Sequence, residues 1–120
     1  MNPNRRPRSV TVVAWLYIAV GVIGAVGHGY EFLARNAFHS DVLWIELPEF
    51  VAILSGVFIL RRQNWARWVA LAWMAFHVIL SAFHAFPELA IHCLFCAVIA
   101  WFLFRPAAAR YFRAAPIQPA

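Results

Sequence analysis

The chain is written as long apolar runs separated by short polar breaks, on the length scale of membrane helices. Apolar residues fill about 10–33, 42–60, 65–85 and 87–104. Each run reaches the roughly 17–25 residues that a helix needs to cross a bilayer. The runs are continuous and do not alternate apolar with polar residues, as strands of a lipid-facing barrel would. A helix is then the remaining way to satisfy the backbone in hydrocarbon. The pattern predicts an all-α protein: an integral membrane four-helix up-down bundle, forming one domain over residues 1–114.

The breaks carry their own signals. Pro87 opens the fourth run, where a missing N–H costs nothing, so a very tight turn is expected around His84-Ala85-Phe86. Pro48 sits inside the second run, where it should kink the helix and take away the N–H that would serve the Trp44 carbonyl. Gly21, Ala25 and Gly29 fall four apart, as do Ala52 and Gly56. Small residues at that spacing let helix backbones approach closely, and contact within the molecule is expected over contact between copies. After Arg105-Pro106, AAARYFR reads as a short interfacial helix over 106–113, with Tyr111 and Phe112 toward lipid and Arg110 and Arg113 toward headgroups. Residues 115–120 read as a flexible tail.

Composition supports a lipid solvent. The chain is 64% hydrophobic and 12% charged, against about 45–50% and about 25% for an average soluble domain. A chain of 120 residues is too small to hide so much apolar surface in one soluble core. The net charge of +5 is carried by arginine alone, and the arginines are segregated. Arg5, Arg6 and Arg8 precede the first run, Arg61, Arg62 and Arg67 divide the second from the third, and Arg105, Arg110 and Arg113 follow the fourth. Only Arg35 falls in the opposite set of flanks. By the positive-inside rule both termini are expected to be cytoplasmic. Trp15, Trp65, Trp68 and Trp101 then fall near the inner boundary and Trp44 near the outer one. Such arginines mark topology and meet lipid headgroups; no nucleic-acid partner is expected. RRPR followed by an apolar run and Ala25-Val26-Gly27 has some features of a cleavable signal, but the run exceeds the usual 7–15 residues or so of such a core. An uncleaved first helix is expected.

RPRSVTVVAWLYIAVGVIG, NWARWVALAWMAFHVILSAFH and FLFRPAAARYF together resemble a group of small, uncharacterised bacterial four-span membrane proteins. The likeness covers nearly the whole chain. It implies a bacterial inner-membrane location and a multi-pass topology, and it implies no activity.

The polar residues are the remaining puzzle. With the arginines inside, Glu31, Asp41, Glu46, Glu49 and Glu88 all fall outside or in the outer half, as do His28, His39, His84 and His92, while His77 falls near the centre. Ionisable groups at such depth are costly unless they face a bundle interior or pair with one another. Residues three or four apart share a helix face, which couples His28 with Glu31, Glu46 with Glu49, Glu88 with His92, and His92 with Cys96. His28, Glu31, Glu46, Glu49, His84, Glu88 and His92 are therefore expected to converge on one outer polar pocket. Three uses compete: a hydrogen-bonded network that locks the helices, a haem or divalent-metal site built from His28, His84, Glu88 and His92, or a path for protons, ions or small solutes. The structural use is expected first, with no cofactor, and the lipid bilayer and a homodimer or larger membrane complex are the expected partners. GHGYEFLA (27–34) and FHAFPELA (83–90) echo one another and suggest two related helical hairpins, with His28 and His84 paired across their axis. Cys93 and Cys96 lie in an apolar run without the context of a redox motif and read as packing residues. No nucleophile elbow, phosphate loop or catalytic triad is written in the chain, so no enzymatic activity is expected.

Overall fold

The computed structural model describes Asn2, residues 4–35 and residues 41–114. The described residues form five helices and no strand: α1 (Arg8–Arg35), α2 (Asp41–Leu60), α3 (Asn64–Ser81), α4 (Phe86–Phe104) and α5 (Pro106–Arg113). The protein is all-α. His39, Ser40 and the tail 115–120 lie outside the described residues.

Local chemistry sets the joints. The Pro7 carbonyl accepts from the N–H groups of Val10 and Thr11 at the entry to α1. Helix α2 ends in a Schellman arrangement: Gln63 N–H donates to Phe58 O, and Arg62 N–H donates to Ile59 O. That motif needs one left-handed residue, usually glycine. Arg62 takes the role here, at φ 62°. Helices α3 and α4 are separated by only Ala82–Ala85, with Pro87 in the first turn of α4. Helix α2 runs through Pro48 without interruption.

Neighbouring long helices are antiparallel. Gly56 of α2 meets Ala14 of α1, and Glu49 meets Gly21 and Gly24. Phe58 of α2 packs on Trp65 of α3 at 4.9 Å, while Trp73 reaches Pro48. Trp68 of α3 packs on Phe104 of α4 at 4.6 Å, while His77 meets His92. Arg105, just past α4, donates to Ser9 Oγ of α1 at 2.7 Å and closes the ring. Helix α1 lies closest to α2, and α4 is the least covered, with Leu103 its one buried residue.

The tight α1–α2 seam differs from the expected stripe. A Cβ on Gly21 would stand 2.6 Å from Ile53 Cγ1 and 2.7 Å from the Glu49 carbonyl oxygen, and one on Gly24 would collide with the Glu49 carboxyl. A Cβ on Gly27 would meet nothing, and one on Gly29 would only reach Glu46 Oε1 at 4.0 Å. The seam therefore runs through Ala14, Gly21, Gly24 and His28 rather than Gly21, Ala25 and Gly29. Gly56 serves the partner helix as expected, 2.5 Å from the Ala14 carbonyl oxygen at its notional Cβ.

The outside of the molecule is apolar. Phe83 is 83% exposed, Trp44 74% and Trp101 65%. Three helices, α1, α2 and α4, are long and apolar enough to cross a membrane. Helix α3 is not among them, although a fourth equivalent span was expected. Its 18 residues are one fewer than those of α4, so polarity rather than length sets it apart: it starts with Asn64 and carries Arg67 in its first turn. Arg67 is 4% exposed. Its guanidinium lies 4.7 Å from the Phe104 ring centroid and 5.4 Å from that of Phe112, and Nη1 donates to Leu103 O at 3.4 Å.

Helix α5 corrects a second expectation. Tyr111 and Phe112 do not face outward; both are buried and belong to the core with Val10, Val13 and Ala66. The reason is the arginine turn beneath them. Arg62 Nε donates to Tyr111 O at 2.6 Å, its guanidinium lies 4.8 Å from the Tyr111 ring, and Arg67 faces Phe112. The rings are more valuable as covers for guanidinium groups than as lipid anchors.

Candidate functional site: a polar row across four helices

One ionisable residue from each long helix lines up across the molecule. On α1, His28 follows the glycine seam, so its ring is carried toward α2. On α2, Glu49 directly follows Pro48, stands one turn before Ile53 and lays its carboxyl over Gly24. His28 Nδ1 and Glu49 Oε1 are 3.8 Å apart, the acid side chain being 14% exposed. On α3, His77 is brought to the same level through Trp73, whose indole N–H donates to the carbonyl of Pro48, the neighbour of Glu49, and whose ring lies 4.0 Å from that of His77. His77 in turn lies 6.3 Å from His92 of α4, with the two rings nearly parallel. The row is His28–Glu49–His77–His92, with Glu46 beside it.

Trp73 holds the middle of this row. Its indole N–H donates to the Pro48 carbonyl at 2.7 Å. Its ring packs 5.3 Å from Tyr17 and 4.0 Å from His77. Tyr17 O–H donates to Ala70 O at 2.6 Å. Three helices are thus pinned at one level by two aromatic donors on backbone carbonyls. The proline was expected to liberate the Trp44 carbonyl; the carbonyl that is recruited by another helix is that of Pro48 itself.

The histidines share one device. His77 Nδ1 bonds Trp73 O at 2.9 Å, His92 Nδ1 bonds Glu88 O at 2.8 Å, and His84 Nδ1 bonds Leu80 O at 2.8 Å. A carbonyl only accepts, so each Nδ1 carries the proton and Nε2 of the neutral ring keeps its lone pair. His77 and His92, together with Tyr17, Trp73, Met74 and Phe95, line a cavity of about 310 Å³ between α1, α3 and α4. Its walls are almost wholly apolar. Leu16, Val20 and Phe95 on its rim are about half exposed, so it opens sideways between α1 and α4.

The expected seven-residue pocket is divided by the fold. His28, Glu46 and Glu49 come together between α1 and α2. His92 turns to His77 instead. His84 and Glu88 are exposed at the α3–α4 joint, and Glu31 is exposed on the last turns of α1. Among the described residues, no three of His, Cys, Asp and Glu stand close enough to hold a metal ion. The set His28, His84, Glu88 and His92 is thus not assembled as a metal site here. The two aligned histidines of the internal echo also occupy unlike places: His28 lies inside α1, and His84 lies beyond the end of α3. Two buried acceptors or donors are left without a hydrogen-bond partner in this region, His28 Nδ1 and Glu46 Oε1. Cys93 and Cys96 are free thiols.

His77, Trp73 and Tyr17 were absent from the expected site. The signal that marks Trp73 and His77 is their i, i+4 pairing, which puts an indole and an imidazole on one face of α3.

No known protein family, curated protein or solved structure matches the chain.

Proposed function

We propose that the chain is a four-span bacterial inner-membrane protein with both ends in the cytoplasm, acting as a structural or accessory membrane subunit. In this reading α3 is the fourth span and Arg67 sits at its cytoplasmic end. The carrying observation is the row His28–Glu49–His77–His92, one residue per helix, its α2 and α3 members joined through Trp73 and Pro48. In lipid, apolar helices gain little from one another, and interhelical polar contacts and close backbone packing set which helices associate. A polar row with one member per helix fixes both the partners and their vertical register.

The test has two parts. Reporter fusions at Met1, at 36–40, at 61–63, at 82–85 and at the C terminus should report inside, outside, inside, outside and inside. A periplasmic signal from the 61–63 fusion would overturn the orientation. Purified protein carrying Glu49→Ala or His92→Ala should unfold more readily without any bound ligand being lost.

A second reading is favoured by the cavity. Two imidazoles with no hydrogen bond to Nε2 among the described residues, facing an apolar space that opens toward lipid, suit a membrane-dissolved ligand or a proton path better than a purely structural joint. Haem or a metal bound at His77 and His92 would show as a Soret band or as about one metal equivalent. Proton flux in liposomes that is abolished by Glu49→Gln would support the path instead.

A further inference from the structure

At the arginine end the structure holds a feature that the polar row does not use. Arg5, Arg6 and Arg8 at the entry to α1, Arg105 at the α4–α5 joint and Arg110 in the last turn of α5 line one open cavity of about 650 Å³. Among the described residues no arginine stands within ion-pair distance of a carboxylate; the one acid–base pair is His28 with Glu49, at the far end of the molecule. Five cationic groups thus share a concave space with no counter-ion among the described residues. Two of them are held in place by hydrogen bonds that keep the charge: Arg6 Nη1 donates to Leu60 O at 3.1 Å, and Arg105 Nη2 donates to Ser9 Oγ at 2.7 Å. Arg105 Nε is buried and has no acceptor.

The site has two walls. One is the N-terminal segment entering α1, and the other is the α4–α5 joint and α5, through Arg105, Ala107 and Arg110. The first wall runs into the N-terminal turn of α1, and Arg105 and Ala107 stand at that of α5, each the positive end of a helix dipole. Guanidinium groups bind phosphate in bidentate fashion, which lysine cannot do, and the basic residues here are all arginine.

We propose that this cavity binds the headgroup of an anionic phospholipid carrying two phosphodiesters, one on each arginine wall. The proposal rests on the membrane reading above, which puts this end at headgroup level. Basic pockets at the cytoplasmic ends of spans are suited to such headgroups, whereas isolated basic residues only feel the surface potential. The cavity size and the separation into two walls favour a two-phosphate headgroup over a single phosphate.

The experiment uses the full chain, purified and delipidated in a neutral detergent, with bound lipid counted by native mass spectrometry. Cardiolipin, phosphatidylglycerol, phosphatidylcholine and inorganic phosphate are the probes. Cardiolipin should bind at one equivalent and at least tenfold more tightly than phosphatidylglycerol, with no retention of phosphatidylcholine. Arg5→Gln with Arg110→Gln should weaken cardiolipin at least tenfold. Arg61→Gln with Arg113→Gln removes the same charge outside the cavity and should change it less than threefold. Equal losses in both double variants would reduce the effect to diffuse surface charge and overturn the site. Inorganic phosphate displacing cardiolipin at equal molarity would overturn the lipid as ligand. Far-UV circular dichroism on each variant separates lost binding from lost folding, and Arg8→Gln, exposed and outside any hydrogen bond seen here, repeats the test if a double variant unfolds. Alkaline extraction of native membranes separates the two ideas: release of the chain would refute the membrane reading, while lipid selectivity in detergent tests the cavity alone.

Discussion

The α1–α2 seam makes a graded prediction for four glycines. At Gly56 an alanine Cβ would stand 2.5 Å from Ala14 O, 2.6 Å from Ile18 Cγ1 and 3.1 Å from Ile18 N. Two of those atoms are backbone of the facing helix and cannot rotate away. A carbon–oxygen contact settles near 3.3–3.6 Å, so the helices must part by about 0.8–1.1 Å. Overpacking of this kind costs about 1–3 kcal/mol. The opposing term is the better helix propensity of alanine, about 1 kcal/mol. Gly56→Ala should therefore lose up to about 2 kcal/mol. Gly21→Ala should do much the same, since it too meets backbone, at Glu49 O and Ile53 N. Gly24→Ala meets only the Glu49 side chain and should lose less, at the expense of the His28–Glu49 contact. Gly27→Ala meets nothing and should be neutral or gain up to about 1 kcal/mol. Reversible unfolding in mixed micelles, followed by helicity, measures the series. A Gly56→Ala variant as stable as the parent, with Gly27→Ala below it, would refute the seam.

Three further substitutions probe other joints. Glu49→Ala should lose about 1 kcal/mol in the same unfolding assay, within the range of interhelical polar contacts in membranes; a cycle with His28→Ala should show coupling near 0.6 kcal/mol, and strict additivity would separate the two residues. Trp73→Phe removes the donor to the Pro48 carbonyl but keeps most of the ring, so it should lose about 1 kcal/mol, and an unchanged midpoint would mean the hydrogen bond contributes nothing. Arg62→Lys keeps the charge but loses the Nε bond to Tyr111 O; bonds to charged groups contribute about 1.5–3 kcal/mol, so trypsin should cut at Arg110 at least tenfold faster as α5 undocks, and equal cutting rates would show that α5 is held by its rings alone.

The number and extent of the helices are legible in the chain because hydrophobic length and proline position are one-dimensional signals. Azimuth is harder. Each residue turns a helix by about 100°. The expected stripe Gly21, Ala25, Gly29 covers eight residues and so drifts about 80° away from its starting direction. The observed seam Gly21, Gly24, His28 covers seven and drifts only about 20°. Over two turns, then, the spacing that keeps facing α2 is three-plus-four, and His28 joins Glu49 because it lies on that line while Gly29 does not. The same arithmetic explains Tyr111 and Phe112. Their apolar character was readable, but which side of α5 faced protein depended on Arg62 and Arg67, about 45 residues away in the chain.

His77 is the residue that most changes the reading of the polar groups. Expected depth alone set it apart from the others, since it falls near the centre of the third apolar run. Depth, though, ranks an ionisable group by what its burial costs, and the costliest position demands the best-provided surroundings. His77 has them: its own helix supplies the Trp73 carbonyl to Nδ1, the Trp73 ring covers one face at 4.0 Å, and His92 faces it from α4. His84, by contrast, has only the Leu80 carbonyl on Nδ1 and sits exposed at a turn, where water or headgroups can serve the rest of the ring. The polar row is therefore ordered by need. The members that lipid would penalise most are those that the helices bring together, and the residues first grouped with them by outer depth are those that can be left at the surface.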